Sequence, residues 1–100
     1  MRAILNGVVI ADAPESDLIK IEGNWYFPPA SVNRDLLTES DTQYTCSWKG
    51  EAQYFDVTDG DGELSDAAFS YPAPPPSSFD RVGQNYSGYI AFWKGVRVND

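Results

Sequence analysis

Thr45-Cys46-Ser47-Trp48-Lys49-Gly50-Glu51-Ala52-Gln53-Tyr54 is the stretch on which the fold turns. Gln43 to Ser47 and Ala52 to Thr58 carry Tyr44, Tyr54, Phe55 and Val57 in partial alternation, the pattern of a pleated, half-buried surface. Trp48-Lys49-Gly50-Glu51 between them reads as a turn, and two strands joined by a short turn are antiparallel. The same stretch holds the single cysteine of the chain, at Cys46, three residues before Lys49. The segment that sets the fold class therefore also holds the best candidate for chemistry.

Outward from this unit the pattern repeats. Arg2 to Leu5 and Val8 to Ala11 flank Asn6-Gly7, the dipeptide most favoured where both turn residues need positive φ. Leu18 to Ile21 and Trp25 to Phe27 flank Glu22-Gly23-Asn24, which fits a bulged hairpin loop. Pro28-Pro29 ends that strand and presets φ for a short helix over Ala30 to Leu37, with Val32, Leu36 and Leu37 near one face. Asp59-Gly60-Asp61-Gly62 turns into a further strand, Ala67 to Tyr71. Pro72 to Pro76 reads as a stiff polyproline II connection, since proline cannot sit inside a sheet. A polar segment follows, with one helical turn around Phe79 to Val82, and then two short strands, Tyr89 to Trp93 and Val96 to Val98. The expectation is a mainly β fold of antiparallel sheets built from hairpins with one short helix, in a single domain spanning residues 1–100.

Composition removes several chemistries. The chain has no histidine, so neither a Ser-His-Asp nor a Cys-His arrangement is available within it. One cysteine closes no intrachain disulfide, and without histidine it makes no Cys/His zinc site; no metal and no cofactor are expected. A net charge of −8 repels a phosphate backbone, and the seven basic residues are scattered singly, which argues against nucleic acid as a partner. The longest apolar runs, such as Val8 to Ala11, fall far short of the ~18 residues of a membrane span. The amino terminus lacks a secretory pattern, so the expectation is a cytoplasmic protein whose thiol stays reduced.

The acidic residues Asp56, Asp59, Asp61, Glu63 and Asp66 fit no register of a calcium loop, because neither Asp59 nor Asp56 as first ligand puts glycine at the sixth position; they read as a solvated turn. Pro72 to Pro75 contains P-x-x-P without a flanking cation, and reads as a crossing loop rather than an adaptor ligand. Trp93-Lys94-Gly95 echoes Trp48-Lys49-Gly50, but the flanks share nothing, so these are two similar strand-end turns rather than a repeat. Cys46 with Lys49 is the serious pair: an ammonium beside a thiol favours the thiolate, and Lys49 could equally clamp an anion. The plain alternative is a small buried cysteine and an exposed turn lysine.

Tyr26-Phe27-Pro28, the Thr45 to Gly50 run, Ala52, Tyr54, Ala68-Phe69, Tyr71-Pro72 and Gly88 to Phe92 together resemble the family known as domain of unknown function 427, over nearly the whole chain. The most specific part is Cys-x-aromatic-Lys-Gly-x-Ala-x-Tyr followed by Ala-aromatic-x-Tyr-Pro. Two positions depart from the family pattern: Ser47 stands where proline is usual, and Phe69 where tryptophan is. The resemblance implies a β-tent-like fold, two antiparallel sheets meeting at an angle. The nucleotidyltransferase label sometimes given to the family finds neither a Gly-rich phosphate loop nor a metal-binding carboxylate pair here.

The first expectation for function is a small anionic ligand held in a pocket between the sheets, with Trp48, Tyr54, Phe69 and Tyr71 as walls and Cys46, Lys49 and Tyr26 as polar points. Two alternatives stand beside it: an enzyme with Cys46 as nucleophile and Lys49 as its activator, and a structural or protein-interaction module acting through the proline segment.

Overall fold

The computed structural model describes residues 1–99, and it is mainly β, with two antiparallel sheets and one helix. Strands β1 (Arg2–Leu5) and β2 (Val8–Asp12) form the first hairpin, and both turn residues have positive φ, 50° at Asn6 and 81° at Gly7. β9 (Arg97–Asn99) returns to pair with β1, giving a small sheet in the order β2-β1-β9. The larger sheet contains β3 (Ile19–Ile21), β4 (Asn24–Phe27), β5 (Leu37–Cys46), β6 (Gly50–Thr58), β7 (Glu63–Ser70) and β8 (Ile90–Phe92). Its order is β3-β4-β8-β7-β6-β5. β5, β6 and β7 are a local meander, whereas β8 is inserted between β4 and β7 from far along the chain.

Three local expectations need correction. The β3–β4 loop has two residues rather than three, because Asn24 pairs directly with Ile21; Glu22 and Gly23 then both take positive φ, 53° and 86°. The helix expected over Ala30 to Leu37 is absent. Pro29–Ser31 and Arg34–Leu36 are separate single 3-10 turns, and the Asn33 side chain caps the second by accepting from the Asp35 N–H at 3.1 Å. Val32 between them bridges to Ala11 of β2, so the segment is spent on covering a sheet edge, and Leu37 already belongs to β5. β5 thus begins six residues before the expected Gln43; its first half is polar and bulged around Ser40–Thr42, which hides it from any alternation signal.

The helix lies instead after the proline run. Pro75, at φ −62° and ψ 143°, is polyproline II, and Pro76 opens α1 (Pro76–Val82), where a missing N–H costs nothing. Gly83 ends it in the left-handed region at φ 98°, its N–H donating to the Phe79 carbonyl at 2.7 Å.

Between the sheets lies an apolar core. Ala3, Leu5 and Ile10 from the small sheet meet Phe27, Phe55, Val57, Ile90 and Phe92 from the large one. Phe27 and Ile10 are fully buried, each contributing about 1.5–3 kcal/mol of transfer free energy. Phe27 and Phe92 meet edge to face at 5.6 Å.

Candidate functional site

Because side chains alternate along a strand, the neighbours of those core residues point to the opposite face of the large sheet. Ile19 and Ile21 of β3, Tyr26 of β4, Ala91 of β8, Phe69 of β7 and Cys46 of β5 build a second cluster there, joined by Tyr71 and Tyr86. Trp48, Ala52, Tyr54, Phe79, Val82 and Tyr89 pack against it, so α1 and the segment after it form a roof over part of the face. Tyr26 and Phe69 meet edge to face at 5.9 Å, and Phe69 continues to Tyr54 at 6.0 Å and to Trp93 at 5.5 Å.

Lys49 is placed by this layer. It follows Cys46 at the end of the β5–β6 turn, and Gly50 behind it adopts φ 90° with the backbone of Ala73 and Pro74 pressed close, which sets the direction of the turn. The Lys49 side chain is only 6% exposed. Its ammonium pairs with the Glu22 carboxylate and lies 4.9 Å from the Tyr71 ring centre and 5.1 Å from that of Trp48. Lys94, in the similar Trp93-Lys94-Gly95 turn, likewise lies over its tryptophan, 5.3 Å from the Trp93 ring centre, but is exposed and donates to the Ser65 carbonyl at 3.2 Å. The two turns share the lysine-over-tryptophan contact and differ in burial and in the lysine's polar partner.

The polar groups of this face are unequally satisfied. Tyr86 Oη donates to Ser78 Oγ at 2.9 Å, and Ser78 Oγ in turn donates to the Pro75 carbonyl at 2.7 Å. Tyr26 Oη, on a residue 1% exposed, has no hydrogen-bond partner among the described residues. Burial holds the Tyr26 hydroxyl far above the usual tyrosine range, and Tyr71, Glu22, Tyr86 and Cys46 push the same way. Burial likewise raises Tyr71, with Cys46 the next cause, and raises Tyr54, with Tyr44 next. These hydroxyls stay protonated and able to donate. Cys46 is 9% exposed among them, and its sulfur is near enough to Tyr26 and Tyr71 to influence both.

A cleft of about 230 Å³ opens beside the layer, lined by Lys20, Ile21, Glu22, Trp48, Arg81 and Val82. Arg81 from α1 stacks its guanidinium 4.0 Å from the Trp48 ring centre. Lys20, which also lines the cleft, has its ammonium 5.2 Å from the Trp25 ring centre.

All seven residues singled out from sequence, Tyr26, Cys46, Trp48, Lys49, Tyr54, Phe69 and Tyr71, lie in or against this one layer. The layer faces away from the small sheet, so the space between the sheets that was expected to hold a pocket is filled by the apolar core. Sequence reading missed Glu22, Ser78, Arg81 and Tyr86. Tyr86 carried a signal, as the one aromatic residue in the polar stretch 80–88; Glu22 carried none, since a turn glutamate looks the same wherever it points.

The remaining candidates are absorbed by the fold. Asp59 Oδ1 accepts from the Asp61 and Gly62 N–H groups at 2.8 and 2.7 Å, closing its own turn. Among the described residues no group of three or more Asp, Glu or Cys is placed to hold a metal ion, and no helix is long and apolar enough to cross a membrane. Pro74 is buried and Pro75 Cδ lies over Gly50, so the proline run is packed onto the domain.

The family model described as Domain of unknown function (DUF427) matches residues 1–99, and the chain belongs to this family. No curated protein matches the chain.

Proposed function

We propose that this member of the family binds a small anion with a flat apolar body in the Trp48 cleft. Arg81 is the cation at the lip, Trp48 the surface on which the apolar part lies, and Lys49, which does not itself line the cleft, the buried cation beside the Trp48 ring and behind Glu22. The supporting observation is the unmet hydrogen-bonding capacity behind the cleft. Among the described residues, Lys49 has three N–H donors and a single hydrogen-bond acceptor besides the Trp48 and Tyr71 rings, and Tyr26 Oη has no hydrogen-bond partner. A buried polar group without a partner costs about 1–3 kcal/mol, which a fold serving stability alone would shed by substituting phenylalanine or methionine. Glu22, with a side chain 55% exposed, is a counter-ion that can swing into solvent when a ligand carboxylate or phosphate takes its place.

A thermal-shift screen of small carboxylates and phosphates, with and without an aromatic ring, tests this on wild type, Lys49→Met and Glu22→Gln. A ligand at a hundred times its Kd stabilises by about 2.7 kcal/mol, a shift of several degrees in a domain of this size. Stabilisation lost in Lys49→Met and strengthened in Glu22→Gln is expected; a panel that leaves the wild type unmoved, or moves Lys49→Met equally, refutes it. No observation favours Cys46 as a nucleophile, as its thiol is enclosed and its named ionisable neighbours, Tyr26 and Tyr71, are hydroxyls rather than bases.

A further inference from the structure

The four sheet edges are protected very unequally. β3 is three residues long with Lys20 at its centre, and β9 is also three residues. The outer edge of β2 is covered by the Ala11–Val32 bridge and by the Asn33 N–H, which donates to the Ile10 carbonyl at 2.8 Å. β5 is ten residues long and, among the described residues, pairs only with β6; it contains no lysine, arginine or proline, and what blunts it is a bulge and the acidic Glu39 and Asp41. Its bulge is confined to Ser40–Thr42, so Gln43 to Cys46 are regularly paired with β6, and among the described residues no strand pairs with their outer side.

A cleft of about 460 Å³ runs along this strand and onto β6, lined by residues 40–45 and 51–53. The charged side chains lining it are Asp41 and Glu51, both acidic, while Tyr44, 52% exposed, stands on the aromatic face. From these features, which are independent of the Trp48 cleft, we infer that β5 is a docking edge for an extended peptide segment that alternates basic with apolar residues. Its backbone continues the sheet through the free β5 amides and carbonyls. Its apolar side chains cover Tyr44 as cross-strand neighbours, and its lysines or arginines meet the Asp41 and Glu51 side of the strand. A second copy of this chain is the wrong occupant: antiparallel β5–β5 pairing would set Glu39 and Asp41 of two chains, each with net charge −8, along one seam.

The test is a titration of the full chain with a short peptide alternating lysine with valine, followed by backbone amide NMR. Expected are saturable binding at micromolar Kd, shifts centred on Gln43 to Cys46, and weakening by about tenfold or more between low and physiological salt. N-methylation of alternate peptide residues, which keeps charge and side chains but removes the ladder donors, should abolish binding, as should Asp41→Lys with Glu51→Lys in the protein. Both positions are exposed, so the double variant is expected to keep the wild-type melting temperature. Absence of binding, indifference to N-methylation, shifts centred elsewhere, or self-association through β5 in sedimentation would each overturn the inference.

Discussion

The two faces of the large sheet are both well buried and are built for different ends. Toward the small sheet the face is aliphatic and aromatic, with Phe27, Val57 and Ile90 sealed from solvent and no charged side chain among them. On the opposite face the same strands contribute Tyr26, Cys46 and Tyr71, and the layer encloses an ammonium and a hydroxyl without a partner. Chemically the second face is the poorer core. A sheet that needed only stability would carry the first kind of packing on both sides, and this contrast supports the proposed site on the second face.

The largest effect should come from the first face. Phe27→Ala removes a fully buried ring and its edge-to-face partner, and should lower unfolding free energy by about 3–5 kcal/mol in urea denaturation. A loss below about 1 kcal/mol would mean that the inter-sheet core is not what holds the domain together. The second face should respond in both directions. Tyr86→Phe breaks the bond to Ser78 and should cost about 1 kcal/mol, whereas Tyr26→Phe removes an unpartnered hydroxyl and should gain about 1 kcal/mol. Two chemically identical substitutions in one cluster, opposite in sign, are a sharp contrast; destabilisation by both would erase it.

Alkali should separate the same groups. The folded state holds Tyr26 and Tyr71 protonated, so stability is fully present below the ordinary tyrosine value of about 10 and declines above it, as the unfolded chain begins to ionise first. Tyrosinate absorbance should therefore rise in two stages, the late one coinciding with unfolding; all six tyrosines ionising together in an intact fold would contradict the burial assigned to that face. The smallest effect lies far from either face. Asp59, held at about 2 chiefly by the Asn6 side chain at 2.6 Å, contributes stability above its unfolded value of 3.8 that fades as pH falls toward 2. Asn6→Ala should flatten that acid limb slightly, on top of a pH-independent loss from placing alanine at φ 50°.

Much of this was legible in the sequence where turn chemistry and alternation agree. Asn6-Gly7 specified its hairpin because few other dipeptides take two positive φ values, and Tyr54, Phe55 and Val57 placed β6 through their alternation. The failures have a common cause in long-range structure. Leu37 to Thr42 is an edge strand with no buried alternation to betray it, and Ala30 to Leu37 was drawn out of a helix by the bridge from Val32 to Ala11, which no local propensity encodes. The site divided in the same way. Aromatic residues beside Cys46 and Lys49 were visible as a group, but which face of the sheet they shared depended on β8 inserting beside β7. That Glu22 meets Lys49 depended on the β3–β4 turn folding toward a strand pair more than twenty residues away.

The most direct test of a site on the second face is a crystal structure of the protein soaked with the anion that most raises its melting temperature. The account predicts an anion oxygen within hydrogen-bond distance of Lys49 Nζ, the Glu22 carboxylate turned into solvent, and the body of the ligand against Trp48. An anion bound elsewhere, with the Lys49–Glu22 pair intact, would contradict it.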